Sequence, residues 1–193
     1  MNLELATERL VLRPLIASDI EWCTEMLTSY EVMRYIYGED IPTGDEVVEE
    51  MPLAMRRCAG GCIGIWTIVL KKEERCMGTV FLLPLPIDED DTDWDLVVGE
   101  KLPDAEIEIG FVLRKSSWGQ GVATEAATRL IQFAFEETAI GEIVAVIDPE
   151  NIASRNVLSK VGIRDEGTRR AYAEECIGFR ITREDWQNST SDG

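Results

Sequence analysis

The sequence contains no histidine, so neither an imidazole base nor the usual histidine-bearing zinc sets can be built from it. It is also poor in positive charge: 19 lysines and arginines stand against 37 aspartates and glutamates, a formal net charge of -18. That balance repels phosphate backbones and anionic lipid surfaces, so neither nucleic acid nor a membrane is expected as a partner. The same field attracts cationic partners such as amines or basic protein tails. No apolar run approaches the roughly 20 residues of a spanning helix; IGIWTIVL at 63–70 stops far short. The first ten residues, MNLELATERL, have neither the basic head nor the apolar stretch of a secretion signal.

Cysteines are few and odd in number. Cys23, Cys58, Cys62, Cys76 and Cys176 are scattered along the chain rather than set in the dense, even framework of a small secreted domain. A reducing cytoplasm is the simpler reading. Cys58 and Cys62 flank Gly60 and Gly61, but with no histidine to complete a ligand set no metal is expected there. The thiols are read as small buried hydrophobes.

What is present is the mixture of a globular chain: 193 residues, 45% hydrophobic and 29% charged. This length suits one domain that buries its core without staples. The domain is placed at 1–186, with a polar tail, QNSTSDG at 187–193, expected to be frayed.

TERLVLRPL at 7–15 alternates like an opening strand until Pro14. Ser18 with Glu21 forms a capping box for a helix over 19–27, and a short helix over 32–37 stops at Gly38. Thr43 with Glu46 opens another helix, which Pro52 is expected to kink or split. Residues 62–72 and 76–86 are β-rich runs joined by a charged turn, hence an antiparallel hairpin. The stretch 87–104, IDEDDTDWDLVVGEKLPD, is read as an exposed acidic loop, with Trp94 either lining a pocket or anchoring it. AEIEIGFVL (105–113) is a strand. An amphipathic helix follows, with Val122, Ala126, Leu130, Phe133 and Ala134 near one face. A strand over 142–148 ends at Pro149, a helix over 152–161 closes at Gly162, and β segments follow around 163–171 and 176–182. The sum is a mixed α/β (α+β) fold of one sheet with helices on it.

The stretch WGQGVATEA, 118–126, lies between a strand and a helix. The first amides of a helix have no internal partners, and together with the helix dipole they attract an anion. Gly119 and Gly121 let a diphosphate approach the backbone. A dinucleotide fingerprint would want glycine or alanine where Thr124 stands, and a P-loop would want Gly-Lys-Ser/Thr. Neither nucleotide fold is supported.

Four stretches in order, TERLVLRPL, AEIEIGFVL, WGQGVATEA and NIASRNVLSKVGI (151–163), make the chain resemble the GNAT acetyltransferase superfamily, within it the RimJ/RimL-type ribosomal-protein acetyltransferase branch. The resemblance implies a mostly antiparallel sheet of about seven strands, splayed between the fourth and fifth, with helices on both faces. It implies acetyl-CoA as cosubstrate and transfer of its acetyl group to a primary amine in a ternary complex. The acceptor would be a protein N-terminus or a small-molecule amine. The other reading is a catalytically silent acyl-CoA-binding module. Oligomeric state stays open, with a homodimer among the options.

By the same resemblance, backbone groups of Phe111, Val112, Leu113 and Arg114 would meet the pantetheine arm. Trp118, Gly119, Gln120, Gly121, Val122, Ala123 and Thr124 would form the pyrophosphate loop. Asn151, Ser154 and Asn156 would lie toward the pantetheine and thiol end, although Asn151 serves equally well as a turn and cap residue. The sequence departs from the family pattern at Ser116, where glutamine or arginine is frequent, at Ile163 in place of an aromatic, and at Leu158, where many relatives carry a tyrosine acid.

Acetyl transfer needs a neutral amine, a donor for the oxyanion and a proton for the departing thiolate. Without histidine, a carboxylate or a water chain must act as base. Glu108 is the candidate, with Glu106 two residues before it on the same face as a like charge that would raise its pKa. The competing reading is a solvated strand face on which both glutamates are merely hydrophilic. A backbone N–H near Phe111 or Val112 would hold the oxyanion. Ser154 would protonate the thiolate by resemblance, or else is an ordinary polar helix residue.

Overall fold

A computed structural model describes residues 2–191. Eight strands form one sheet: β1 (Leu5–Ala6), β2 (Leu10–Pro14), β3 (Gly64–Leu70), β4 (Arg75–Pro84), β5 (Ile107–Leu113), β6 (Glu142–Ile147), β7 (Arg164–Ala171) and β8 (Glu174–Thr182). Their spatial order is β1-β2-β3-β4-β5-β6-β8-β7. The expected count of about seven misses β1, two residues that pair with β2 through Leu5 and Leu12 and are too short to show a period. All neighbours are antiparallel except β5 and β6. That one parallel pair touches at a single register, Glu108 opposite Val144, and then diverges.

Among the described residues there are six α-helices: α1 (Ile20–Leu27), α2 (Tyr30–Tyr37), α3 (Gly44–Ala54), α4 (Val122–Glu137), α5 (Ile152–Lys160) and α6 (Arg183–Ser191). The main core lies on one face of the sheet, where Trp66, Ile68, Leu82 and Ile109 meet Ala126, Leu130, Phe133 and Ala134 of α4. Trp66 and Phe133 pack edge to face at 5.9 Å. On the other face α1 and α3 bury Cys23 and Met51 against Leu15. Helices therefore cover both faces, which is what lets interior strands read as nearly continuous apolar runs.

Local signals behave unequally. Thr43 Oγ1 accepts the Glu46 amide and Glu46 Oε2 accepts the Thr43 amide at 2.7 Å, so that capping box forms. The box at Ser18 and Glu21 does not. Instead Asp19, 2% exposed, turns inward and accepts the Ile16 amide, Arg13 Nη1 and Nη2, Trp22 Nε1 and Thr67 Oγ1. Burial alone would raise its pKa, but these donors outweigh that and hold it at about 2. Pro52 neither splits nor ends α3, because proline forfeits only one bond and Met55 N–H still closes onto the Met51 carbonyl. Gly162 ends α5 at φ +81°, the left-handed position that glycine favours.

The stretch 87–104 is irregular as expected, yet not wholly exposed. Val97 is 1% exposed and Trp94 packs against the main core, with its carbonyl held by Arg56 Nη1 at 3.1 Å. Trp94 is thus an anchor. At the C-terminus α6 runs through Gln187 to Ser191, and the last two residues of the expected tail, Asp192 and Gly193, lie outside the described residues. All five thiols are free, with Cys23, Cys58 and Cys62 buried.

Candidate active site

Strand β5 positions two kinds of chemistry at once. Arg114 N–H donates to the Met77 carbonyl and Leu85 N–H to the Glu106 carbonyl, so even-numbered residues of β5 turn their backbones toward β4. Odd-numbered residues turn theirs the other way. Ile107 and Ile109 flank Val144 of β6, and beyond them the strands part. Phe111 and Leu113 are left with backbone groups facing the opening. Gly78 lets β4 and β5 come this close: a Cβ there would lie 2.2 Å from the Val112 carbonyl oxygen.

Of the backbone groups expected to meet the pantetheine arm, several are already paired within the protein. Arg114 has no free backbone group, since its amide is on Met77 and its carbonyl accepts Ser117 N–H at 2.8 Å. Val112 faces β4. The Leu113 carbonyl is occupied by Trp118 Nε1 at 3.0 Å, which leaves the Leu113 amide and both groups of Phe111.

At the same end of the sheet α4 begins. Its first intrahelical bond runs from Glu125 N–H to the Gly121 carbonyl, so the amides of Gly121, Val122, Ala123 and Thr124 precede any internal acceptor. Gly119 and Gly121 sit at φ +70° and +76°, and a Cβ on Gly119 would meet nothing within 4 Å. The result is an open cradle of N–H groups at a 16-residue helix start, suited to a diphosphate. Gln120 turns its side-chain amide back to the Ser116 carbonyl at 2.7 Å and its own carbonyl to Arg9 Nη1 at 3.0 Å. Sequence reading missed Arg9, whose partners lie more than 100 residues away.

The helix after β6 opens at the same end. Asn151 is its cap: its Oδ1 accepts Ser154 N–H at 3.1 Å. Ser154 is half-buried in the first turn, while Asn156 is exposed. Leu158, at the place of the family's tyrosine, is 1% exposed in the main core.

Glu108 projects to the opposite face from Ile107 and Ile109 and is 4% exposed, so this strand face is not a solvated one. Burial pushes its carboxyl up to about 7, against the opposing pull of Tyr172 Oη–H, the Val146 amide and the Arg169 charge. The expected cause was a like charge at Glu106, and that is corrected. Glu106 is held by Arg169 and, at 2.9 Å, by Arg180 Nη2, and these cations keep it ionised despite the burial that would raise its pKa. Desolvation, not repulsion, makes Glu108 a weak acid. Tyr172 donates to Glu108 Oε2 at 2.5 Å. Nothing in the sequence marks it except its place between two β segments.

The sheet thus opens between its parallel neighbours β5 and β6, with unpaired helix-start amides at one side and a buried carboxyl beside the opening. The family described as "Acetyltransferase (GNAT) domain" matches residues 9–164, and the chain belongs to that family. An Aspergillus fumigatus protein, FsC-acetyl coenzyme A-N(2)-transacetylase, is 29% identical over 94% of this chain and 77% of its own length. A GNAT-family acetyltransferase structure from Bacillus anthracis superposes with a TM-score of 0.72, at 23% identity, over 94% of this chain and 99% of that one. Spermidine N-acetyltransferase from Vibrio cholerae, solved with CoA and spermine, gives 0.70 at 15% identity over 94% of this chain and 100% of the other. The protein is an acetyl-CoA-dependent acetyltransferase. No helix among the described residues is long and apolar enough to cross a membrane, and no group of three or more metal-ligating side chains occurs among them.

Proposed function

We propose that this enzyme moves the acetyl group of acetyl-CoA onto a primary amine by direct attack in a ternary complex, with Glu108 as base. The observation that carries this reading is the buried Glu108 carboxyl on β5, whose pKa of about 7 suits proton abstraction near neutrality. Acetyl-CoA would supply the activated acyl thioester. The amides of residues 119–124 would hold its diphosphate, and the free backbone groups of Phe111 and Leu113 its pantetheine arm. The Phe111 N–H would hold the developing oxyanion, leaving its carbonyl and the Leu113 amide to the pantetheine arm. Ser154 in the first turn of α5 would return a proton to the leaving sulfur, while Asn151 fixes that turn as its cap.

The acceptor is a protein N-terminal amine or a small-molecule amine. A net charge of -18 favours a cationic acceptor of either kind. The related fungal transacetylase and the structural neighbour bound to spermine support amine acetylation in general. Placement in the RimJ/RimL-type branch rests on the resemblance carried by TERLVLRPL, AEIEIGFVL, WGQGVATEA and NIASRNVLSKVGI together. Release of free thiol from acetyl-CoA, measured with peptides bearing free N-termini and with small amines including spermine, tests the reading. Amine-dependent release is expected. CoA binding with no release to any amine would overturn it in favour of a silent acyl-CoA-binding module.

A further inference from the structure

The hairpin that joins β7 to β8 turns through Tyr172 and Ala173, at φ +52° and +58°. Neither is glycine, and two consecutive left-handed residues with side chains persist only where the surroundings hold them. Here the surroundings are specific. Tyr172 N–H donates to the Pro86 carbonyl at 3.1 Å and Ala173 N–H to the Ile87 carbonyl at 3.0 Å, latching the turn to the start of the acidic stretch. Arg170 Nε adds a contact to Asp88 at 2.8 Å. The Tyr172 ring packs on the small cluster of Leu85, Val144 and Ala171, and its hydroxyl ends on Glu108 Oε2.

We infer that Tyr172 is a positioning residue for the catalytic base: its hydroxyl donates to Oε2 of Glu108 and fixes the orientation of the carboxylate that takes the proton of the acceptor amine. This rests on Glu108 being the base. The contact is chemically one-directional. Burial and the nearby charges of Glu108 and Asp91 drive the phenol far above any working pH, so Tyr172 always carries its proton and can donate it. A bond donated to a carboxylate favours the ionised form. Removing it therefore raises the Glu108 pKa and moves the acidic limb of the rate profile to higher pH.

The other groups around Glu108 do not replace this bond. The Val146 N–H of β6 and the Arg169 charge of β7 also favour the ionised carboxylate, but Arg169 is committed to Glu106. Cys176 of β8 feels the Glu108 charge, and its thiol is pushed up by burial, so it stays neutral. Across β4 the register partner is Leu83, which carries no charge. Asp91 of the acidic stretch and Tyr37 of α2 act on Tyr172 and keep its proton in place.

The test compares wild type, Tyr172→Phe and Glu108→Gln across pH, with CoA affinity and melting temperature as controls. Tyr172→Phe is expected to lower kcat by about tenfold or more and to shift the acidic limb of kcat/KM upward by about one pH unit, the size of one charge-assisted hydrogen bond. CoA affinity should stay within twofold. An unshifted limb and unchanged kcat in Tyr172→Phe, with Glu108→Gln inactive, would overturn the positioning role alone. Full activity in Glu108→Gln would instead overturn the assignment of the base. If Tyr172→Phe loses thermal stability, Ala173→Gly, which relaxes the same turn while keeping the hydroxyl, separates the effects: it should leave the limb where it is in wild type.

Discussion

Arg9 Nε donates to Glu125 Oε2 at 2.7 Å, tying the lead into β2 to the first turn of α4. The same guanidinium bonds the Gln120 carbonyl, and Glu125 also accepts Thr7 Oγ1 and the Arg9 amide. The loop before α4 is therefore not free: Arg9 braces it, with its own charge matched by Glu125, and in the proposed reading the loop amides are left to meet the diphosphate.

Arg9→Ala should accordingly raise the KM for acetyl-CoA by about three- to tenfold with little change in kcat, since the loss is of preorganisation rather than of a reacting group. Steady-state kinetics with varied acetyl-CoA check this. Arg9→Lys should recover only part of the effect, because an ammonium cannot bridge Gln120 and Glu125 as the planar fork does.

Asp19 predicts the acid behaviour of the fold. Unfolded, an aspartate titrates near 4; here it is held at about 2. Its contribution is thus complete above about pH 4 and is lost as pH falls through about 2, a difference of about 2.5 kcal/mol. Asp19→Asn should cost about 3 kcal/mol at pH 7 by leaving Arg13 without its partner, and should flatten the stability loss between pH 4 and 2. Denaturant melts at several pH values measure both.

These two residues also show where sequence reading ends. The Thr43 to Glu46 box, the glycine that closes α5 and the glycines before α4 were legible because each acts within a few residues of chain. The same holds for the two-residue alternation of β5, which put Glu108 and its neighbours on one strand. The link from Asp19 to Thr67 spans 48 residues, from Tyr172 to Glu108 64, and from Arg9 to Gln120 111. No period or spacing encodes such pairings; only the order of strands in the sheet does. For the same reason Ser18 and Glu21 misled: a local box competed with Asp19, whose partners came from the sheet. Glu106 and Glu108 looked equivalent by alternation; Arg169 and Arg180 on β7 and β8, which hold Glu106 ionised, and the deeper burial of Glu108 make them different.

Glu108 should also be a destabilising residue at alkaline pH. Its carboxyl has a raised pKa, so the cost of ionising it in place grows as pH rises from about 4.5 through about 7 and is complete above that. Glu108→Gln, which can still accept from Tyr172, should melt a few °C higher than wild type at pH 8 and at nearly the same temperature at pH 4. A calorimetric comparison at the two pH values distinguishes this from a general packing effect, which would be independent of pH.

The central claim is that Glu108 is the base in transfer of the acetyl group to an amine. The most direct test is the pH dependence of kcat/KM for wild type and Glu108→Gln with the best amine found by thiol release. The account predicts a wild-type profile that rises through about pH 7, and a Glu108→Gln enzyme slowed by about 100-fold or more with that limb gone and CoA affinity kept. A Glu108→Gln enzyme with wild-type turnover and the same acidic limb would contradict it.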